Sequence, residues 1–176
     1  RSKYDCLLTT SKTINKDNPL LNCRIEGLEK KSPDIFILDR LFNIKKNSTI
    51  FKKNKMNIHI LTTANNISKE KFFRKKGISV IKIKKKNSNN DELKNIFYTI
   101  KKLGFNRILV ESGITLLDQL IKYGFIKNFY LFRSSTNLGS KGYNNTDPVH
   151  LKKINFFKAK KIKVNLDDNI LYKVKL

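Results

Sequence analysis

Two stretches of the chain carry residue types able to do chemistry at a useful spacing. The first is Val110-Glu111-Ser112-Gly113-Ile114-Thr115. A carboxylate stands at the end of an apolar run, then a hydroxyl and a glycine lead into a helical pattern. In open α/β sheets ligands gather beyond the carboxyl ends of the strands. Free N–H groups at the start of the next helix suit a phosphate or pyrophosphate, and the hydroxyls of Ser112 and Thr115 either cap that helix or donate to such a group. The same residues equally fit an ordinary strand–turn–helix connection with a solvated Glu111, because one glycine is a weak phosphate signature. The second stretch runs over residues 13–24, TINKDNPLLNCR. Asp17-Asn18-Pro19 reads as a rigid polar turn, the proline pressing Asn18 toward extended backbone. Arg24 follows with a planar fork matched to a phosphate. The alternative is a turn held by Asx hydrogen bonds beside an exposed arginine.

The other reactive residue types form no comparable group. His59 sits alone in an apolar run and His150 follows a polar one, so no metal is expected. Cys6 and Cys23 are too few for a disulfide scaffold and fit no zinc spacing. They read as small buried apolar residues in a reduced, cytoplasmic compartment. The sequence has no Ser/His/Asp order, no Walker loop and no zinc-deaminase pattern H-x-E…P-C-x-x-C.

The elements that must position these residues follow from pattern. Apolar runs at 5–10 (DCLLTT), 34–39 (DIFILD), 58–62 (IHILT), 78–83 (ISVIKI) and 107–111 (RILVE) read as buried strands. Residues 68–76 read as a short, very basic helix or loop. Leu93, Ile96, Phe97, Ile100 and Leu103 share one face of a helix over 90–104, with Asn90 or Asp91 as N-cap and Gly104 as stop. A second helix over 114–123 closes at Gly124. Residues 127–133 make a further strand, and 155–164 and 169–174 make two more around a turn at Asp167-Asp168. The polar stretch 137–148 reads as a surface loop. Strands alternating with helices, then antiparallel strands, define an α/β sheet with a C-terminal hairpin.

Composition sets bounds. A chain of 176 residues with 39% apolar content is one domain able to close a core, and no apolar run reaches the ~20 residues that span a bilayer. The net charge is +24. Yet Lys (32), Asn (21) and Ile (21) supply 74 of the 176 residues, and only six of the 38 basic residues are Arg. All three have A/T-rich codons, so the charge reads mainly as biased base composition. A nucleic-acid binder would use more Arg for bidentate contacts, so a basic nucleic-acid-binding module is the alternative and no specific nucleic acid is expected.

Taken together, YDCLLTTSKTINKDNPLLNCR at 4–24 and ILVESGITLL at 108–117 resemble the reductase domain of the bifunctional riboflavin-biosynthesis deaminase/reductase, the RibD family. There the first stretch reads D-A-I-L-V-G-x-x-T-V-x-x-D-N-P-x-L-T-x-R and the second V-E-G-G-x-x-L. The resemblance implies a dihydrofolate-reductase-like α/β fold, a mixed sheet flanked by helices. It implies reduction, with NADPH, of the ribosyl group of 5-amino-6-(5-phosphoribosylamino)uracil to the ribityl form. It implies cofactor contacts at Thr13, Asp17, Gly113, Ile114, Thr115, Leu116, Leu117, Asp118 and Gln119, and substrate contacts at Leu20, Arg24 and Glu111. No acid or base is assigned by it. It further implies a homo-oligomer, a deaminase domain upstream, and a first strand and helix lying before Arg1, so that residues 1–176 form a single, N-terminally incomplete reductase domain; a truncated inactive fragment is the further alternative. Two departures stand out: Ser112 replaces a glycine, and Arg40 follows Asp39 where a small hydroxyl residue is common, offering a cation to the cofactor's 2′-phosphate.

Overall fold

The computed structural model describes residues 1–52, 56–136, 148–164 and 168–176. The chain divides into two compact units, Arg1–Gly113 and Ile114–Leu176. In the first, five strands lie parallel in the order β4-β3-β2-β1-β5: β1 (Cys6–Thr10), β2 (Asp34–Leu38), β3 (Ile58–Thr62), β4 (Ser79–Lys82) and β5 (Ile108–Val110). Strands β1 and β2 are nearly continuous apolar runs because helices and loops cover both faces of a parallel sheet. Leu7, Ile35, Ile37, Ile60 and Val80 pack on one face with Ile14, Phe42 and Phe73. Alternation turns Leu8 and Phe36 to the other face, where Phe36 stacks on His59 at 4.5 Å. Burial pushes the Cys6 thiol up to about 12, which leaves it unreactive.

Three helices connect these strands: α1 (Ser11–Asp17), α2 (Ile67–Lys75) and α3 (Asn89–Lys102). Residues 68–76 thus resolve as helix, because Asn66 caps α2 by accepting from the Lys69 N–H and Phe73 anchors it in the core. The N-cap of α3 is Ser88 and not Asn90 or Asp91. Its hydroxyl accepts from the Asp91 N–H at 3.1 Å and donates to the Asp91 carboxylate at 2.8 Å. Gly104 ends that segment at φ +94°, a conformation open to glycine. Asn18 corrects a second expectation: it is left-handed (φ 45°, ψ 47°), not extended. Asn tolerates that region, and its side chain gains two bonds there, accepting from the Thr49 N–H (2.8 Å) and donating to the Thr49 hydroxyl (2.6 Å).

The second unit begins with α4 (Ile114–Lys122), which buries Leu116 and Leu120. It is followed by an antiparallel sheet in the order β6-β8-β7: β6 (Asn128–Arg133), β7 (Lys160–Ile162) and β8 (Ile170–Lys175). The strand expected over 155–164 is shorter than its pattern. Phe156–Lys158 form a single 3₁₀ turn instead, since 155–158 lack the period-two alternation of a strand. Residues 137–147 of the expected loop and Asp167 of the expected turn lie outside the described residues. The parallel and antiparallel strands anticipated for one mixed sheet are divided between these two sheets.

Candidate functional site

Strands β1 and β5 are parallel neighbours, with Leu8 opposite Val110, and the Glu111 N–H donates to the Leu8 carbonyl at 3.0 Å. Glu111 therefore leaves the sheet beside Thr9, at the same carboxyl edge from which α1 departs. Its carboxylate is held by Arg1: Nε and Nη2 donate to Oε1 and Oε2, each at 2.7 Å. The third arm of that guanidinium, Nη1, donates to the Asn22 carbonyl at 2.7 Å. The hydrogen bond to Glu111 raises the Arg1 pKa against the opposing effect of burial. One planar cation thus ties the end of β5 to the 20–24 segment, a geometry suited to bidentate carboxylate recognition.

Among the described residues the buried side-chain atoms without a partner are Thr9 Oγ1, Asn22 Oδ1, Arg40 Nη2 and both His59 ring nitrogens; Thr9 follows Leu8 on β1 and Asn22 gives its backbone carbonyl to Arg1. Sequence reasoning singled out Glu111 but not Arg1, Thr9 or Asn22. The only signal for Arg1 was a cation standing a few residues ahead of a strand, which is silent about a partner 110 positions away.

The remaining predicted residues are distributed as follows. Thr13 and Asp17, four apart, share a face of α1. Thr13 is partly committed to capping: its N–H donates to Thr10 Oγ1 at 3.2 Å and the two hydroxyls lie 3.0 Å apart. Asp17 is exposed, Leu20 half-buried and Arg24 exposed. The cation on Glu111 is Arg1, not Arg24. Gly113 stands outside the left-handed region, and nothing lies within 4 Å of a Cβ built on it, so the turn into α4 does not demand a glycine there. Of the α4 residues, Thr115 is exposed, Leu116 is buried and Ile114, Leu117 and Gln119 are half-buried. Asp118 accepts from the His150 N–H (2.7 Å), the Leu151 N–H (2.8 Å) and pairs with His150 Nδ1 (2.9 Å). Burial opposes its ionisation, but these bonds outweigh it and hold the carboxyl below its usual range.

The exit of β2 is equally ordered. The buried Asp39 carboxylate accepts from the Ser11 hydroxyl and from the Asn43 and Ile44 N–H groups, all at 2.8 Å. Arg40 engages a carboxylate with one of its nitrogens, while Nη2 has no partner among the described residues. Its Nε pairs with the buried Glu92 of α3, while its carbonyl accepts from the hydroxyls of Thr62 (3.2 Å) and Thr63 (2.9 Å). A buried carboxylate without a cation is costly, so Glu92 fixes one arm of the Arg40 guanidinium.

The architecture is that of the dihydrofolate-reductase-like domains. RibD from Acinetobacter baumannii superposes with a TM-score of 0.74 at 19% identity, over 98% of this chain and 46% of that one. A pyrimidine reductase-like protein from Corynebacterium diphtheriae superposes with a TM-score of 0.72 at 15% identity, over 99% and 77%. In sequence, residues 1–171 match the RibD C-terminal domain, and the chain belongs to that family. It is 32% identical over 142 residues to the 5-amino-6-(5-phosphoribosylamino)uracil reductase of Buchnera aphidicola. It is 27% identical over 139 residues to the riboflavin biosynthesis protein RibD of Aquifex aeolicus. These alignments cover 74% and 79% of this chain, but 63% and 37% of the two relatives.

Proposed function

We propose that the chain is the reductase of riboflavin biosynthesis, using NADPH to convert the ribosyl group of 5-amino-6-(5-phosphoribosylamino)uracil to the ribityl form. Family membership and the name of the Buchnera relative support the reaction class. The observation that carries the assignment to this chain's residues is the Arg1–Glu111–Asn22 junction at the carboxyl ends of β1 and β5.

On this reading Glu111, fixed in two bonds by Arg1, accepts from N–H and O–H groups of the substrate. Arg24 takes the sugar phosphate, a remote contact whose binding energy is available to position the reacting carbon. Leu20 supplies an apolar wall. Thr13 and Asp17 on α1, and the backbone from Gly113 through Gln119, hold the cofactor, the N–H groups that open α4 receiving its pyrophosphate. The donor set fits such a ligand: hydroxyls, a carboxylate and free backbone N–H groups. NADPH supplies the hydride when bound. The chain's own contribution is orientation, which can account for most of the barrier reduction in such a transfer. The same reading includes a homo-oligomer and a deaminase domain as functional partner.

The test is turnover: the chain, NADPH and the phosphorylated aminopyrimidine are mixed and the ribityl product is followed by mass spectrometry. Product that depends on both reactants is expected. A folded chain that binds neither would refute the reading.

A further inference from the structure

Asp118 of α4 stands where the family resemblance implies a cofactor contact, yet its carboxylate takes donors from within the second unit. Oδ1 accepts from the His150 N–H at 2.7 Å and from the Leu151 N–H at 2.8 Å, and Oδ2 pairs with His150 Nδ1 at 2.9 Å. We propose that Asp118 is a positioning residue: it clasps residues 150–151 to α4 and so fixes the helix whose opening N–H groups take the cofactor pyrophosphate. The inference rests on the reductase reading and changes the role of one side chain within it, from contact to support.

The clasp lies where α4 has no other hold. At about 100° per residue, Asp118 falls roughly 160° around the helix from both Leu116 and Leu120, the two residues that α4 buries. The apolar stripe therefore holds one side of α4 and the clasp holds the other. A helix of nine residues is marginal on its own, so such contacts, and not propensity, decide where it stands. The partner segment depends on the clasp as well. Leu151–Lys153 form a 3₁₀ turn whose N-cap residue, His150, gives it no side-chain cap. Asp118 supplies that cap from another element, accepting the leading N–H groups that the start of such a turn leaves unbonded. Bonds within the segment close the rest. The Lys152 N–H donates to the Pro148 carbonyl at 3.0 Å and the Ile154 N–H to the Leu151 carbonyl at 3.1 Å, and Ile154 is buried.

A direct contact with the dinucleotide fits Asp118 less well. The bonds from positions 150 and 151 outweigh the effect of burial and hold its carboxyl below the usual range, so it carries its charge at neutral pH. An ionised carboxylate aimed at a pyrophosphate repels it, whereas one that takes donors on both oxygens from a neighbouring turn serves the helix.

The experiment measures NADPH affinity by calorimetry, and steady-state kinetics, in four forms of the 176-residue chain: wild type, Asp118→Ala, Asp118→Asn and His150→Ala. Asp118→Ala should weaken NADPH binding about ten-fold or more, the scale of hydrogen bonds to a charged group. It should raise KM for NADPH far more than it lowers kcat, because the helix shifts while no reacting group is lost, and KM for the aminopyrimidine should move little. Asparagine keeps an oxygen for the two N–H groups, so Asp118→Asn should recover most of the lost affinity. His150→Ala removes one bond of the three and should fall between wild type and Asp118→Ala. Wild-type NADPH affinity in Asp118→Ala overturns the inference and leaves the reductase reading standing. So does a loss in Asp118→Asn as large as that in Asp118→Ala, which would return the carboxylate to the cofactor itself. Wild-type affinity in His150→Ala overturns it too, and that variant decides the matter if Asp118→Ala does not fold. A wild-type chain that neither binds nor turns over NADPH ends both the inference and the reductase reading.

Discussion

On the proposed reading, Glu111 and Arg24 divide the work of substrate recognition between a carboxylate fixed by Arg1 and an exposed cation. Glu111→Gln removes the charge that Arg1 clamps, and Arg24→Ala removes the phosphate contact. Each should lower kcat/KM by about ten-fold or more, with thermal stability changed far less for Arg24, which is exposed and unpaired. Steady-state kinetics beside a melting curve checks both, and wild-type turnover in the two variants would contradict the assignment. His59 gives a separate test. It stacks on Phe36 and meets Phe105 edge-on, and both ring nitrogens lack a hydrogen-bond partner among the described residues, the Asp34 carboxylate being 3.9 Å away. Burial lowers its pKa, against the pull of Asp34. The unfolded chain then takes up a proton more readily than the folded one, so stability is full above the unfolded value and falls as pH drops below about 6.5. His59→Phe should flatten that part of the pH profile in urea unfolding. An unchanged slope would show that another group is responsible.

The elements differ in how openly the sequence declares them. Strand β3 matches its apolar run from Ile58 to Thr62, and α3 follows the spacing of Leu93, Ile96 and Ile100, because burial of a periodic face dominates both. Caps are harder to read, since several polar residues compete for one position. Ser88 prevails over Asn90 and Asp91 by bonding reciprocally with Asp91. Ser88→Ala should cost about 1 kcal/mol in denaturant unfolding. Asn18 illustrates a tertiary override: the rule for residues before proline predicts extended backbone, but bonds to Thr49 draw it into the left-handed region. Asn18→Ala puts there a residue that tolerates the left-handed region less well and lacks those bonds, and should cost about 1–2 kcal/mol. A neutral effect would mean that the 49–51 turn is held by Ile50 in the core alone.

At the scale of the whole molecule, the family and Glu111 of the candidate site were legible because the motif residues follow two neighbouring strands. DNPLL follows α1, which leaves β1, and the acidic residue follows β5; parallel pairing brings the exits of those two strands together. What stayed hidden depends on long-range register. Arg1 meets a carboxylate 110 residues away, Arg40 meets Glu92 across 52, and Asp118 is drawn to His150. None of these pairings has a local periodicity to betray it. The most direct measurement of the central claim is affinity of the 176-residue chain for the phosphorylated aminopyrimidine, by calorimetry, with wild type and Glu111→Gln compared. Saturable binding that weakens about ten-fold or more in the variant is the predicted result; equal affinity in the two proteins would place the substrate away from the Arg1–Glu111 junction and contradict the account.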